Sequence, residues 1–275
     1  MFRRDFLYDF MPDGTMDKTL EREIKLARNI QMKLLNGKKP ELEKSEVSGI
    51  SIPARLIGGD YYDFYPLSNG KLRIIIGDVM GKGIPAAMLM ILTRGAFRSA
   101  AESTHGPGDT LTAMNKAIYQ DLRVLGSFVT LLCADWDPEK KTLTYASAGH
   151  YLPIIARGSQ NLLELPKVKG VMLGGLPNTE YMESTVTLND EDLVFFYTDG
   201  IIEAQNAGGE MYRIDRLNEV LLRNNTLDIN EIENAINDSI SKFTNNAPQK
   251  DDITMVLLKV NKGSTNITSY NSPML

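Results

Sequence analysis

Four apolar runs in this chain stop hard against aspartates, and that pattern limits what the chain can fold into. Asp60 and Asp63 follow "ISIPARLIGG", Asp78 follows "LRIIIG", Asp199 follows "LVFFYT", and Asp251 and Asp252 precede "ITMVLLKV". The runs are short, apolar and rich in β-branched residues, so they read as strands. Strand ends on one side of a sheet converge more readily than positions spread along helices. Gathered carboxylates repel one another and their pKa values rise. A hard divalent cation relieves that repulsion: Mg²⁺ prefers oxygen ligands, and Mn²⁺ accepts the same set. Soft donors are scarce, and His105, His150 and Cys133 make no conventional zinc site. Aspartates are also ordinary turn residues, and Asp199-Gly200 alone reads as a turn. Four such places together leave both readings open, a metal site and a set of turns.

The rest of the chain gives the frame. "TLEREIKLARNIQMKLL" (residues 19–35) reads as a helix capped by Thr19. Leu20, Ile24, Ala27 and Leu34 fall at heptad-like spacing, Gln31 interrupts the seam, and Leu26 and Ile30 widen the stripe. Such a helix either packs on its own domain or dimerises and relays a signal. "IPAAMLMILTRGAFRSAAE" (84–102) reads as a buried helix with Pro85 in its first turn, and "DTLTAMNKAIYQDL" (109–122) as an amphipathic one. "SFVTLLCADWD" and "KTLTYASAG" are joined by "PEKK" as an antiparallel hairpin. Two helical stretches near 213–223 and 229–243 precede the last strand. Hairpin strands with helices inserted in groups argue for α+β architecture.

Composition excludes several classes. A single cysteine rules out a disulfide framework and fits a reducing compartment. The net charge of −5 makes nucleic acid an unexpected partner. No apolar run reaches membrane-spanning length and no secretory leader is visible, so the expectation is a cytoplasmic protein with no membrane contact. "GDVMGKG" (77–83) is not a Walker A loop, because three residues rather than four separate Gly77 from Gly81 and no Ser or Thr follows the lysine.

Taken in order, "ARLIGGDYYDF", "IIIGDVMGKGIPAAMLM", "ASAGHYLP", "LVFFYTDGIIEA" and "DDITMVLL" resemble the PPM-type metal-dependent protein phosphatases of the SpoIIE/RsbU-like branch. "ARNIQMKLLNGKKPE" is similar to the helical linker that often precedes that domain. The resemblance implies an αββα sandwich of two antiparallel β-sheets flanked by helices. It implies an N-terminal arm and helical linker over 1–46, the phosphatase domain over 47–260 and a polar tail over 261–275. It also implies two Mn²⁺ or Mg²⁺ ions held by Asp60, Asp78, Asp199, Asp251 and the Val79 carbonyl. Asp78 would bridge them, and the alignment of the final motif favours Asp251 over Asp252. Asp63 would orient the groups around Asp60. Lys82 and Arg55 are candidates to stabilise phosphoryl charge, against the alternative that both are merely solvated. His150 reads as a hydrogen-bonded structural residue, and Gly200 belongs to the Asp-Gly turn.

The implied activity is hydrolysis of phosphoserine or phosphothreonine by a metal-activated water, and the implied substrate is a phosphorylated STAS-domain antagonist in a bacterial partner-switching pathway. The expectation is that no large sensor domain precedes the catalytic region, so that input comes from an activating protein at the N-terminal helix or the N-terminal arm serves as the docking piece; a homodimer through residues 19–35 is a further expected contact. Two rivals stand beside this: a PPM-fold binding module that has lost turnover, and a nucleotide-processing enzyme using the same metals.

Overall fold

The computed structural model describes residues 18–35, 39–158 and 161–262. Helix α1 (Lys18–Leu35) leads into strand β1 (Ser45–Ile52). Strands β2 (Tyr61–Pro66) and β3 (Leu72–Val79) form a hairpin, followed by helices α2 (Ile84–Ala101) and α3 (Pro107–Val124). Then come β4 (Val129–Asp137), β5 (Thr142–Ala148), β6 (Ile154–Arg157), β7 (Asn161–Leu163), β8 (Ser184–Thr187) and β9 (Leu193–Tyr197). Helices α4 (Asp199–Ile202), α5 (Arg213–Asn224) and α6 (Ile229–Thr244) precede β10 (Ile253–Val260). None of the described helices is long and apolar enough to cross a membrane.

The strands make two antiparallel sheets, ordered β1-β10-β9-β6-β7 and β2-β3-β4-β5-β8. Three apolar layers hold four layers of structure together, which is the expected αββα sandwich. Phe97, Leu111, Met114 and Leu122 pack α2 and α3 on one sheet. Ile74, Ile76, Trp136, Phe196 and Val256 fill the space between the sheets. Leu217, Leu221, Ile232 and Ile236 pack α5 and α6 on the other sheet. Strand alternation explains the partition: Ile75 faces the helices while Ile74 and Ile76 face the second sheet. Local signals agree with these elements. Proline stands in the first turn of α2 and of α3, and Asp228 with Glu231 forms a capping box at α6.

Several expectations need correction. The strand expected to run through "ISIPARLIGG" ends at Ile52, and residues 53–60 cross from one sheet to the other. Asp60 therefore stands before β2 rather than at the end of β1. The boundary at residue 47 cuts a strand, because Ser45 and Glu46 already pair with Val260 and Lys259. Helix α1 begins at Lys18, which puts Thr19 inside it rather than at its cap. The N-terminal arm before Lys18, and the C-terminal tail beyond Lys262, lie outside the described residues.

The seam on α1 is also displaced. Gln31 and Leu35 are its buried residues, while Leu26 is 53% and Ile30 60% exposed. The polar residue that interrupts the heptad thus docks together with Leu35.

Candidate metal centre

Register brings the first two acids together. Tyr61 pairs with Gly77, so one step beyond the ladder Asp60 lies opposite Asp78. Asp60 is almost wholly buried and accepts the Thr198 hydroxyl at 2.8 Å. Burial first, then the charges of Asp78 and Asp252, push its carboxyl well above the usual carboxylate range, although the Thr254 and Thr198 hydroxyls oppose the shift. Asp78 is pushed up to about 7 by burial and by Asp199, Asp251 and Asp252. Asp199 opens α4 directly after β9 and is raised by burial, Asp251 and Glu203. The acids of four chain segments therefore feel one another at one end of the sandwich.

Asp251 and Asp252 divide sharply. The Asp252 carboxylate is buried and accepts two backbone N–H groups, from Ala54 and Gly59, each at 2.7 Å. It latches the crossing loop onto the start of β10. Asp251 is half-buried and meets Lys82 Nζ at 2.7 Å. Among the described backbone groups its carboxylate accepts only the N–H of its own neighbour Asp252, at 3.0 Å, and ties down no other backbone segment, so it has more freedom to reorient. Lys82 also donates to the Lys250 carbonyl at 2.6 Å, so it is fixed at the rim rather than merely solvated. Arg55 lies alongside the turn before α2, its guanidinium 3.4 Å from where a Cβ on Gly83 would stand. Val79 ends β3, and its carbonyl oxygen faces Gly59 across a gap that a Cβ on that glycine would narrow to 3.1 Å.

Gly200 has a steric reason. A Cβ there would sit 1.9 Å from the Asp252 carbonyl oxygen, so no larger residue lets α4 approach β10 this closely.

Asp63 does not orient Asp60. The two are three positions apart, an odd step, so they point to opposite faces of the sheet. Asp63 instead accepts from Tyr61 Oη at 2.9 Å and from Arg98 Nε at 2.7 Å, with Arg94 3.8 Å away. It anchors α2, and none of these partners belongs to the acidic end.

His150 is buried between two strands, and burial lowers its pKa to about 4. Its ring nitrogens lie 3.0 Å from Thr130 Oγ1 and 3.0 Å from the Tyr197 carbonyl oxygen. A carbonyl only accepts, so Nε2 carries the proton and the neutral ring takes the Thr130 hydroxyl at Nδ1. The ring fixes the chain immediately before Thr198 and Asp199.

Sequence reasoning missed Gln31, whose amide donates to the Gly58 carbonyl at 2.7 Å and accepts the Gly58 N–H at 3.2 Å. That two-way clamp ties α1 to the residue two before Asp60. Thr198 was missed as well. A polar residue in a seam, and a hydroxyl beside an acid, were the only signals available.

The donor chemistry suits a hard cation: oxygen ligands only, high negative charge and protons forced onto buried acids. The side-chain postures do not enclose one. Among the described residues no three His, Cys, Asp or Glu groups stand close enough to hold an ion. The reason is visible in the partners, since Asp251 turns to Lys82 and Asp60 to Thr198. Mutual repulsion favours this splayed arrangement.

Comparison with known proteins places the chain. The profile of the family described as Stage II sporulation protein E (SpoIIE) matches residues 68–261, a span that holds Asp78, Asp199 and Asp251 but not Asp60. The phosphoserine phosphatase RsbU of Bacillus subtilis (strain 168) is 30% identical over 244 residues, 89% of this chain and 72% of that protein. Protein IcfG of Synechocystis is 29% identical over 85% of this chain, which spans only 41% of that longer protein. Among solved structures, the SiaA-PP2C domain of Pseudomonas aeruginosa superposes with a TM-score of 0.76 at 21% identity, covering 89% of this chain and 98% of that one. RsbX in complex with magnesium superposes at 0.59 and 18% identity, covering 82% of this chain and 99% of that one. The sandwich, the match over its larger part and the identity to RsbU agree: this chain belongs to the SpoIIE family, in the RsbU-like branch of the PPM-type serine/threonine phosphatases.

Proposed function

We propose that the chain hydrolyses phosphoserine or phosphothreonine on a protein, using divalent cations at the acidic end of the sandwich. One observation carries this. The carboxylates of Asp60, Asp78 and Asp199 come to one end of the sandwich and are raised by burial and by the acids around them, whereas Asp63, Asp135 and Asp192 are each met by an arginine. Asp60, Asp78, Asp199, Asp251 and the Val79 carbonyl would hold two Mn²⁺ or Mg²⁺ ions. Such a pair, when bound, lowers the pKa of a coordinated water and clamps the phosphoryl oxygens for in-line attack.

The remaining work belongs to the chain. Asp252 holds the loop that presents Asp60 and leaves Asp251 free to act as the ligand. Thr198 orients Asp60, and neutral His150 fixes the strand end that carries Asp199. Lys82 stands where a substrate phosphate would meet a positive charge. Arg55 is a second candidate at the turn before α2.

The substrate reading is a phosphorylated STAS-domain protein in a partner-switching pathway. Its support is the similarity to RsbU and a structural likeness to a Mycobacterium tuberculosis protein described as carrying RsbU and RsbW domains, with a TM-score of 0.66 at 22% identity. The exposed Leu26 and Ile30 on α1 support docking of an activating protein or a second copy there. Through Gln31, that helix reaches the loop that bears Asp60.

The test is turnover of p-nitrophenyl phosphate and of phosphorylated STAS proteins with Mn²⁺, with and without EDTA. Metal-dependent release that Asp78→Asn abolishes is the expected result. No metal-dependent release from the wild-type protein would favour the binding-module reading, and ATP in the substrate panel decides the nucleotide alternative.

A further inference from the structure

We infer that the cleft beside Asp251 is the subsite for the polypeptide segment flanking the phosphorylated residue, which it takes in extended form over an isoleucine floor. This rests on the phosphatase reading above and adds where the protein part of the substrate lies. The cleft has a volume of about 490 Å³ and shares Lys82, Gly200 and Asp251 with the acidic end. A phosphoryl group needs a small part of that space, whereas ligand sites of several hundred Å³ take larger groups.

The lining says which group. Ile52, Ile240 and Ile253 make an apolar floor. Asn237 and Ser241 of α6 stand above it, and neither side chain makes a hydrogen bond among the described residues. An extended peptide presents backbone N–H and C=O groups to such side chains and an apolar side chain to the floor. The walls are fixed. Gln249 donates to the Ile52 and Asp251 carbonyls at 2.7 Å each, and Lys250 reaches across to Gln205. Among the described residues no aromatic ring lines the cleft, so a nucleobase finds no ring there to stack on.

The experiment compares a phosphoserine peptide of about nine residues, with leucine beside the phosphoserine, against p-nitrophenyl phosphate, which lacks a peptide. Ser241→Trp fills the cleft from an exposed helix position. The expected result is a fall of about tenfold or more in the ratio of the two kcat/KM values, carried by KM for the peptide. Asn237→Ala lowers the ratio by a smaller factor without adding bulk, and replacing the peptide leucine with glycine lowers it in the wild-type protein. Gln120→Trp, on the exposed side of α3, leaves both substrates unchanged. Peptide binding read by fluorescence polarisation is the second measurement, and it needs no turnover. If the wild-type protein hydrolyses neither compound, the phosphatase reading falls, while binding still decides the cleft. A ratio and a binding constant that stay within twofold in both Ser241→Trp and Asn237→Ala would overturn the inference.

Discussion

Asp60 and Asp63 lie on one short stretch of chain, each only 3% exposed, and they meet the cost of burial in opposite ways. Asp63 is gripped by Arg98 and the Tyr61 hydroxyl. The same solution recurs where Arg73 pairs with Asp135 at 2.6 Å and Arg157 with Asp192 at 2.7 Å. Asp60 is held differently. It has two threonine hydroxyls and the charges of other acids around it. Ion-paired acids hold elements together, while uncompensated acids hold charge in reserve for something that arrives later. The contrast separates structural from functional carboxylates in this fold better than burial does.

The same substitution should therefore act with opposite sign in the two regions. Asp78→Asn is expected to lower Mn²⁺-dependent turnover by about a thousandfold, since a metal centre contributes several kcal/mol to the transition state. It should also raise the melting temperature of EDTA-treated protein, because a repelled charge is gone. Loss of stability in that variant would break the comparison. Asp135→Asn should do the reverse, leaving Arg73 buried without its counter-ion at a cost of about 3–5 kcal/mol, read by chemical denaturation. Activity per folded molecule is expected to hold.

pH sharpens the contrast. Asp78 titrates near 7 in the folded chain and near the ordinary carboxylate value when unfolded. Below the unfolded value both states are protonated and the folded state keeps its full benefit. Between the two values only the folded state holds the proton, so stability falls as pH rises and levels off above about 7. Thermal unfolding of metal-free protein from pH 5 to 8 should show that decline, and Asp78→Asn should flatten it. Saturating Mn²⁺ should flatten it too.

The smallest expected effect tests the link between the two ends of the chain. Gln31→Ala strips both partners from Gly58 and should cost about 1–3 kcal/mol. A drop in turnover beyond what unfolding explains would show that the clamp also positions Asp60.

The acids were legible because aspartates against apolar runs are few and visible. Which face each one points to was not. Asp63 looked like a partner of Asp60 until the start of β2 at Tyr61 set the alternation. Asp251 and Asp252 are neighbours that only a third element, the crossing loop, tells apart. Gln31 reads as a flaw in a heptad because its partner, Gly58, comes from a different layer. Helices α2, α3, α5 and α6 were legible from periodicity, whereas the short strands β6, β7 and β8 carry too few residues to show one.

The pairing of β1 with β10 has a consequence for how such a domain can be combined with others. Ser45 sits opposite Val260 and Ile52 opposite Ile253, so the first strand begins and the last strand ends at the end away from the acids. An eight-residue strand is about 26 Å long at the usual rise. A module joined after β10 would meet the sandwich at that far doorway, a strand's length from the chemistry, whereas one joined before α1 would reach it through the helix clamped beside Asp60. The two sides of the domain are therefore unequal: a downstream module can be exchanged at a distance from the acids, while an upstream one acts on the helix that holds Gly58.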